Sequence, residues 1–253
     1  IISNIGAYSC FPTTCGVEPL MAMAEMPGPY DVQQYQCLAR GVITNTCTMA
    51  PYRGVSRPVI TFTLERLMDK AARAFALDPI DVRRRNLIDK FPYKPAMGLE
   101  YDEATYKETL EMAVKAIDVP AFRKRQAEAR IKGRHLGIGF ATFSERTGYG
   151  SPAFAARGME ITPGWETVII TVDPSGFVEA RIGSSPHGQG LRTTLAQIIA
   201  DELGITPEMI KVVHGDTYRT PYGWGTFASR SLVISGGATL IAAQKIRTKL
   251  IKM

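Results

Sequence analysis

The sequence predicts a globular α+β fold without a membrane-spanning helix, and three observations lead to that prediction. Its 253 residues are 45% hydrophobic and 21% charged, which is typical of a globular protein and excludes a disordered chain. Apolar residues recur at helical spacing in the first half, whereas short runs rich in Val and Ile follow in the second half. The best candidate for a membrane span, residues 232–243, is too short and contains two glycines.

The first half predicts strands and loops followed by helices. Residues 1–50 are punctuated by Gly and Pro, which predicts short strands and loops. Pro58 fits the first turn of a helix, whose apolar stripe begins at Ile60. Asp102 fits the N-cap of the next helix. Helices are predicted over residues 58–77, 103–117 and 121–132, with a short polar turn or helix at 81–86.

The second half predicts a mixture of strands and helices. The turn sequence 173–176 joins two runs rich in β-branched residues, which predicts a hairpin, and Gly204 is placed to stop a helix. Strands are predicted at 135–144, 166–173, 177–182 and 209–213, and helices at 191–203 and 229–252. We therefore expect one domain over residues 1–120, a basic linker helix over 121–134 and a second domain over 135–253.

The net charge of +6 is concentrated in the predicted linker helix. Six Lys or Arg residues and one acid, Glu128, lie between positions 123 and 134. A nucleic-acid site would need aromatic side chains that stack bases, and Phe122 is the one aromatic nearby. A solvated helix face or linker is the favoured interpretation, and a nucleic-acid-binding module is the distant alternative.

All four cysteines fall in the first fifth of the chain, at Cys10, Cys15, Cys37 and Cys47. The first two have the spacing that begins a plant-type ferredoxin sequence, but the next cysteine of that sequence is missing. The three histidines lie far downstream, so a zinc pattern is absent as well. Buried free thiols in a reducing compartment are the favoured interpretation, which predicts a cytoplasmic protein.

Two glycine-rich segments, each opening a helix, are candidates for ligand binding. Glycines at such a junction let backbone N–H groups approach an anion, which the helix dipole also favours. A turn without a ligand, or a helix cap alone, is the alternative for each segment. Two such segments in one half of the chain suit a long ligand with more than one phosphate or polar group. The candidates are His187, Gly188, Gln189 and Gly190, then Thr193, Thr194 and Gln197, and finally Thr226, Ala228, Ser229 and Ser231.

A third candidate segment, residues 51–58, combines small, aromatic and basic residues before a helix. Its arginines, Arg53 and Arg57, are either solvated or part of the rim of a site. His135 and His214 are isolated in the sequence, and we expect them to be structural.

Together these segments resemble the molybdopterin-binding large subunit of the xanthine oxidase and aldehyde oxidase family of molybdenum hydroxylases. The resemblance runs over nearly the whole chain, and its specificity lies in the order and spacing of the motifs. They are Gly6-Ala7-Tyr8, Tyr52-Arg53-Gly54, Asp78-Pro79 with Arg83 and Asn86, His187-Gly188-Gln189-Gly190, Ala196-Gln197-Ile198, Asp201-Glu202-Leu203, His214-Gly215-Asp216-Thr217, Gly225-Thr226 and Ser229-Arg230-Ser231. The resemblance implies two mixed α/β molybdopterin-binding domains, each only partly represented in an internal fragment.

The resemblance also implies an activity. Members of this family hydroxylate substrates such as aldehydes and N-heterocycles with water-derived oxygen, and electrons leave through 2Fe-2S clusters to FAD on partner subunits or domains. The pterin, rather than a protein residue, holds the molybdenum, so the chain supplies placement and electrostatics. The matched positions are Arg53 and Gly54 at the metal centre, Tyr52 and Val55 at the substrate pocket, Gln189 at the metal–pterin group, and Ala228 and Ser229 at the pterin.

Departures from the family pattern narrow these expectations. Gly54 stands where carbon monoxide dehydrogenases of the family carry a copper-binding Cys, and residues 1–39 lack the Arg of purine-specific members. CO and xanthine are therefore not the expected substrates. The sequence contains no Gly-Glu pair, so the catalytic Glu of the family is expected outside this chain, which would be inactive alone. We expect the cytosine dinucleotide form of the cofactor, and a cofactor-free scaffold is the alternative.

Overall fold

The computed structural model describes residues 1–8, 16–96, 100–148, 150–155, 160 and 164–253. They form two compact units, Ile1–Glu145 and Arg146–Met253. Each unit contains helices and a small sheet, so the predicted α+β class is confirmed. The basic helix predicted as a linker lies within the first unit, and the predicted division into domains stays a prediction.

The first unit places helices beside a parallel pair of strands. Its hydrophobic core includes Tyr30, Ile60 and Leu64. Beside that core, fully buried Arg83 donates to the carboxylate of Glu65 at 2.7 Å. The elements are Ile2–Gly6 (β1), Val17–Glu25 (α1), Arg40–Ile43 (β2), Arg57–Ala74 (α2), Pro79–Asn86 (α3), Tyr106–Ile117 (α4) and Val119–Ile131 (α5).

Helix α1 and the start of helix α4 correct the sequence predictions. Residues 1–50 were predicted as short strands and loops, but Val17–Glu25 form α1, and its Pro19 lies in the first turn, where a helix needs no N–H donor. Helix α4 begins at Tyr106 rather than at residue 103, because the carboxylate of Asp102 accepts the N–H of Glu103 instead of capping a helix.

The predicted strand at 135–144 is also wrong, because these residues form no described strand pair. Their backbone carbonyls accept side-chain donors instead. Gln126 donates to the carbonyl of Leu136 at 2.7 Å, and Arg83 donates to the carbonyl of Phe140 at 3.0 Å. The segment therefore packs on the first unit through side-chain bonds.

The cysteines depart from expectation in part. Cys37 is half-buried and Cys47 is exposed, and both are free thiols. The prediction of a buried thiol is therefore wrong for Cys47. Cys10 and Cys15 lie outside the described residues.

The second unit contains a mixed sheet of Val168–Val172 (β3), Val178–Ile182 (β4) and Ile210–Val213 (β5), in that order, and Leu191–Leu203 (α7) lies between β4 and β5 along the chain. Strands β3 and β4 form the predicted hairpin, since Asp173 accepts the N–H groups of Ser175 and Phe177 at its turn. Strands β4 and β5 are parallel and are joined through helix α7. The other two helices of the unit are Ser151–Ala155 (α6) and Gly236–Lys252 (α8).

The two long helices of this unit compare differently with the sequence predictions. Helix α7 has the predicted bounds, and Gly204 ends it with a φ of 69°. The last helix was predicted from residue 229, but Ala228 and Ser229 have φ values of 49° and 52°, which no right-handed helix contains. A π-helical turn, Ser231–Ser235, precedes α8. None of the helices in the described residues has the length and apolar character that crossing a bilayer requires.

Candidate functional site

One edge of the sheet in the second unit gathers most of the candidate residues. The parallel strands β4 and β5 end at this edge, and the antiparallel strand β3 begins there. We call residues 164–167, 183–190 and 214–231 together the loop edge. Ligands of open sheets with parallel strands bind at the carboxyl ends of those strands, so the loop edge is the expected place for a ligand.

The Gln189 loop, residues 184–190, joins β4 to α7. Gly188 and Gly190 have φ values of 90° and 77°, and a Cβ atom on either would meet no described atom within 4 Å. Gly190 is the N-cap of α7, and no side chain caps this helix. The first N–H groups of α7 therefore have no side-chain cap and follow glycines with open space beside them, which is typical of phosphate-binding helix starts.

The polar side chains around this loop have different partners. Gln189 is exposed, its Oε1 accepts the N–H of His187, and its NH2 group can donate. Thr193 and Gln197 are exposed on α7. The hydroxyl of Thr194 donates within its own helix turn instead. Of the candidates on α7, Thr193 and Gln197 are therefore the two exposed to a ligand.

The Ser229 loop, residues 223–231, differs from the Gln189 loop although their sequences look alike. The N–H groups of Trp224 and Gly225 donate to Glu166 Oε1 at 3.1 and 2.9 Å. The Glu166 carboxylate thus accepts the backbone N–H groups that the sequence analysis expected to bind an anionic ligand. The expectation of a second anion-ready helix start is therefore wrong at these two N–H groups.

The other candidates of the Ser229 loop are arranged in two pairs. The Ser231 hydroxyl lies 2.9 Å from that of Thr226, so the two hydroxyls bond each other. Ala228 and Ser229 are exposed and both adopt the left-handed conformation. This loop therefore presents a fixed backbone turn rather than a row of free donors.

Glu166 and Arg230 form a fully buried ion pair below the Ser229 loop. Arg230 also donates to the carbonyls of Gly225 and Trp165, both at 2.7 Å. Sequence reasoning missed Glu166, because its partners lie 58 to 64 positions away along the chain. A lone acid at the first position of the strand predicted over residues 166–173 was the available signal.

The Arg53 loop, residues 51–58, lies in the first unit and is anchored from below. Ser56 has a φ of 65°, and its hydroxyl contacts Glu18 at 2.6 and 2.7 Å. Arg57 is buried and pairs with Glu25 at 2.8 Å. Arg57 is therefore an internal support of the loop, and solvation is excluded for it.

The first half of the Arg53 loop is presented to solvent. Tyr52 is 82% exposed and Arg53 is also exposed, whereas Gly54 and Val55 are half-buried. Gly54 has a φ of 91°, which favours glycine at this turn. The four residues predicted for the metal centre and the substrate pocket are thus on one turn.

His214 is less isolated than its sequence position suggested. Arg192, in the first turn of α7, donates from Nε to His214 Nε2 at 2.7 Å. Burial and the Arg192 charge hold the pKa of His214 below its usual value. A Cβ atom on Gly215 would lie 3.8 Å from the hydroxyl oxygen of Ser185, so the segment after β5 runs beside the Gln189 loop.

Comparison with known proteins agrees with this architecture. Two models, each described as a molybdopterin cofactor-binding domain, match residues 1–87 and 112–253. The chain belongs to the molybdopterin cofactor-binding family. This confirms the resemblance to molybdenum hydroxylase large subunits, and the individual residue roles stay predictions.

Several relatives carry these domains within a longer chain. The nicotine 6-hydroxylase large subunit of Paenarthrobacter nicotinovorans is 38% identical over 97% of this chain and 30% of its own length. The carbon monoxide dehydrogenase large chain of Hydrogenophaga pseudoflava is 38% identical over 88% of this chain and 28% of its own. Quinoline 2-oxidoreductase from Pseudomonas putida 86 superposes with a TM-score of 0.87 at 36% identity, over 98% of this chain and 32% of its own. The chain thus spans about a third of the length of these relatives.

Proposed function

We propose that this chain is the cofactor-binding part of a molybdenum hydroxylase large subunit. The proposed reaction is hydroxylation of an aldehyde or an N-heterocycle with water-derived oxygen. The Gln189 loop carries the proposal, because open glycine backbone and an uncapped helix start lie together at the carboxyl end of β4. Such donors fit the phosphate group of a pterin cofactor.

The residues of the chain bind and orient in this proposal. The Gln189 amide and the first N–H groups of α7 hold the cofactor, with Thr193 beside them. Arg53 and Gly54 approach the metal centre, and Tyr52 and Val55 line the substrate pocket. The molybdenum–pterin group supplies the oxygen-transfer chemistry and takes up the electrons when bound. In this proposal the pterin holds the molybdenum, and the residues of the chain place and orient the cofactor.

Two of the relatives support the proposed substrate class. Nicotine and quinoline, which appear in the names of those proteins, are both N-heterocycles. We further propose the cytosine dinucleotide form of the cofactor, partner subunits or domains with 2Fe-2S clusters and FAD, a catalytic Glu outside this chain, and a cytoplasmic location. The free thiols of Cys37 and Cys47 support a reducing compartment.

The molybdenum content of the native complex that contains this chain is the first test. We expect near-stoichiometric molybdenum, followed by turnover in a screen of aldehydes and N-heterocycles. An intact, folded complex without molybdenum would contradict the proposal and leave a cofactor-free scaffold. Efficient xanthine or CO turnover would contradict the substrate class alone.

The Gln189→Ala variant tests the placement of the cofactor. Gln189 is exposed, so we expect the unfolding midpoint to change little while molybdenum occupancy falls, because a donor to the metal–pterin group is lost. Gln244→Ala, on the exposed face of α8, is the matched control and should keep both quantities unchanged. Equal occupancy in the two variants would argue against a cofactor contact at Gln189.

A further inference from the structure

Glu166 lies where the two loops of the second unit leave the sheet. It precedes β3, and Gly183 follows the antiparallel strand β4, where the Gly183 N–H donates to the Thr167 carbonyl at 3.2 Å. A Cβ atom on Gly183 would lie 2.6 Å from the Cα atom of Gly223. Backbones this close require glycine at both positions. Gly183, directly before the Gln189 loop, and Gly223, the first residue of the Ser229 loop, are therefore in direct contact beside Glu166.

A single carboxylate oxygen organises the start of the Ser229 loop. Glu166 Oε1 accepts from the N–H groups of Trp224 and Gly225 and from the guanidinium of Arg230. Arg230 also donates to two backbone carbonyls, those of Gly225 and Trp165. Both charged side chains are fully buried. Charge-assisted bonds in such a low-dielectric surrounding are strong, so the pair fixes the loop backbone.

The Ser229 loop needs this support because its conformation is unfavourable in isolation. Ala228 and Ser229 are consecutive left-handed residues that carry a Cβ atom. A second contact connects the Gln189 loop to the π-helical turn that follows the Ser229 loop, since the buried hydroxyls of Ser184 and Ser235 hydrogen-bond at 2.8 Å. Weakening the Glu166–Arg230 ion pair should therefore let the strained turn at Ala228 and Ser229 relax. It should also disturb the Gln189 loop, because Gly183, directly before that loop, packs against Gly223 of the Ser229 loop.

We infer that Glu166 and Arg230 are positioning residues that hold the Gln189 loop and the Ser229 loop in a single cofactor-binding arrangement. Neither side chain has to touch the cofactor. The inference rests on the proposed function, since it requires the cofactor to bind at the loop edge. Glu65 and Arg83 in the first unit form a buried pair of the same chemistry without a candidate loop, and they supply the control.

The test compares Glu166→Gln with Glu65→Gln in the complete cofactor-loaded protein that carries this chain. Molybdenum retained over time after gel filtration and hydrogen exchange of residues 184–190 and 223–231 are measured for both. We expect Glu166→Gln to release molybdenum at least about tenfold faster, as the loss of a charged hydrogen bond predicts, and to speed exchange in both loops. Glu65→Gln should lower the melting temperature by a similar amount and leave release and loop exchange unchanged. Equal release from the two variants overturns the inference.

A second pair of variants covers the case in which Glu166→Gln does not fold. Arg230→Lys keeps the charge but replaces the planar guanidinium, whose two NH2 groups reach separate acceptors, by a single ammonium nitrogen, and Arg83→Lys is its control. The same readouts apply, with the same expected difference. Wild-type protein without molybdenum overturns the proposed function, and this inference with it, before any variant is compared. Molybdenum-loaded wild type with unchanged release from Arg230→Lys overturns this inference alone.

Discussion

Among the residues that the structure describes, each unit buries one arginine completely, and the partners of these two arginines differ. In the first unit Arg83 joins Glu65 and Asp69 on α2 to carbonyls of Pro79 and Phe140. These partners lie on α2, at the start of α3 and in the segment 135–144, beside the core of the first unit. In the second unit Arg230 and its glutamate hold the backbone of a loop that carries candidate residues. Identical side-chain chemistry therefore supports a core in one unit and a candidate site in the other.

The core pair has an additional partner that completes its hydrogen bonding. The Tyr30 hydroxyl donates to Glu65 at 2.6 Å, and burial together with that carboxylate raises the pKa of Tyr30 well above its usual value. Removing two charges from water is costly, and hydrogen bonds to the remaining polar atoms of the pair offset part of that cost. The Glu166–Arg230 pair is less complete, because Glu166 Oε2 and Arg230 Nε are buried without a hydrogen-bond partner among the described residues. The comparison teaches that the role of a buried pair is set by what else it holds.

The largest expected effect comes from removing either cation. Arg83→Leu and Arg230→Leu each leave a buried carboxylate without its partner, which should lower the free energy of unfolding by about 3–5 kcal/mol. Denaturant unfolding measures the loss, and hydrogen exchange locates it. We expect faster exchange in α2 and α3 for Arg83→Leu and in residues 223–231 for Arg230→Leu. Exchange spread over both units in either variant would break the comparison.

A smaller effect is expected at the glycines of the Ser229 loop. A Cβ atom on Gly223 would lie 2.2 Å from Glu166 Oε2 and 2.7 Å from the Cα atom of Gly183, so Gly223→Ala displaces the carboxylate, forces two backbones apart and should cost about 3 kcal/mol. Gly225 has a φ of 81° and open space around its missing Cβ, so Gly225→Ala should cost about 1 kcal/mol. Melting temperatures rank the two variants. The reverse order would show that strain, rather than close approach, limits this loop.

The sequence was informative where structure is decided locally. The bounds of α7 and the β3–β4 hairpin follow from periodicity, Gly204 and the Asp173 turn, and both predictions are confirmed. The Gln189 and Ser229 loops show the limit of such reasoning, because both read as glycine-rich helix starts. A carboxylate 58 positions upstream takes the donors of the second loop, and no local pattern could predict that pairing. Helix α1 was missed because Pro19 fits a helix start as well as a loop.

The smallest expected effect concerns an exposed arginine and extends the comparison to the surface. Arg192 is exposed, and its bond to His214 requires the imidazole to be neutral. Because the pKa of His214 is lowered in the folded state, the unfolded chain binds the proton more readily below about pH 6.5. Stability should therefore fall slightly as the pH drops from 7.5 to 5.5, and His214→Gln should flatten that fall without changing the melting temperature at pH 7.5. Melting curves at the two pH values measure it. An acid sensitivity as large as the loss from Arg83→Leu would show that this exposed pair, too, is part of a core.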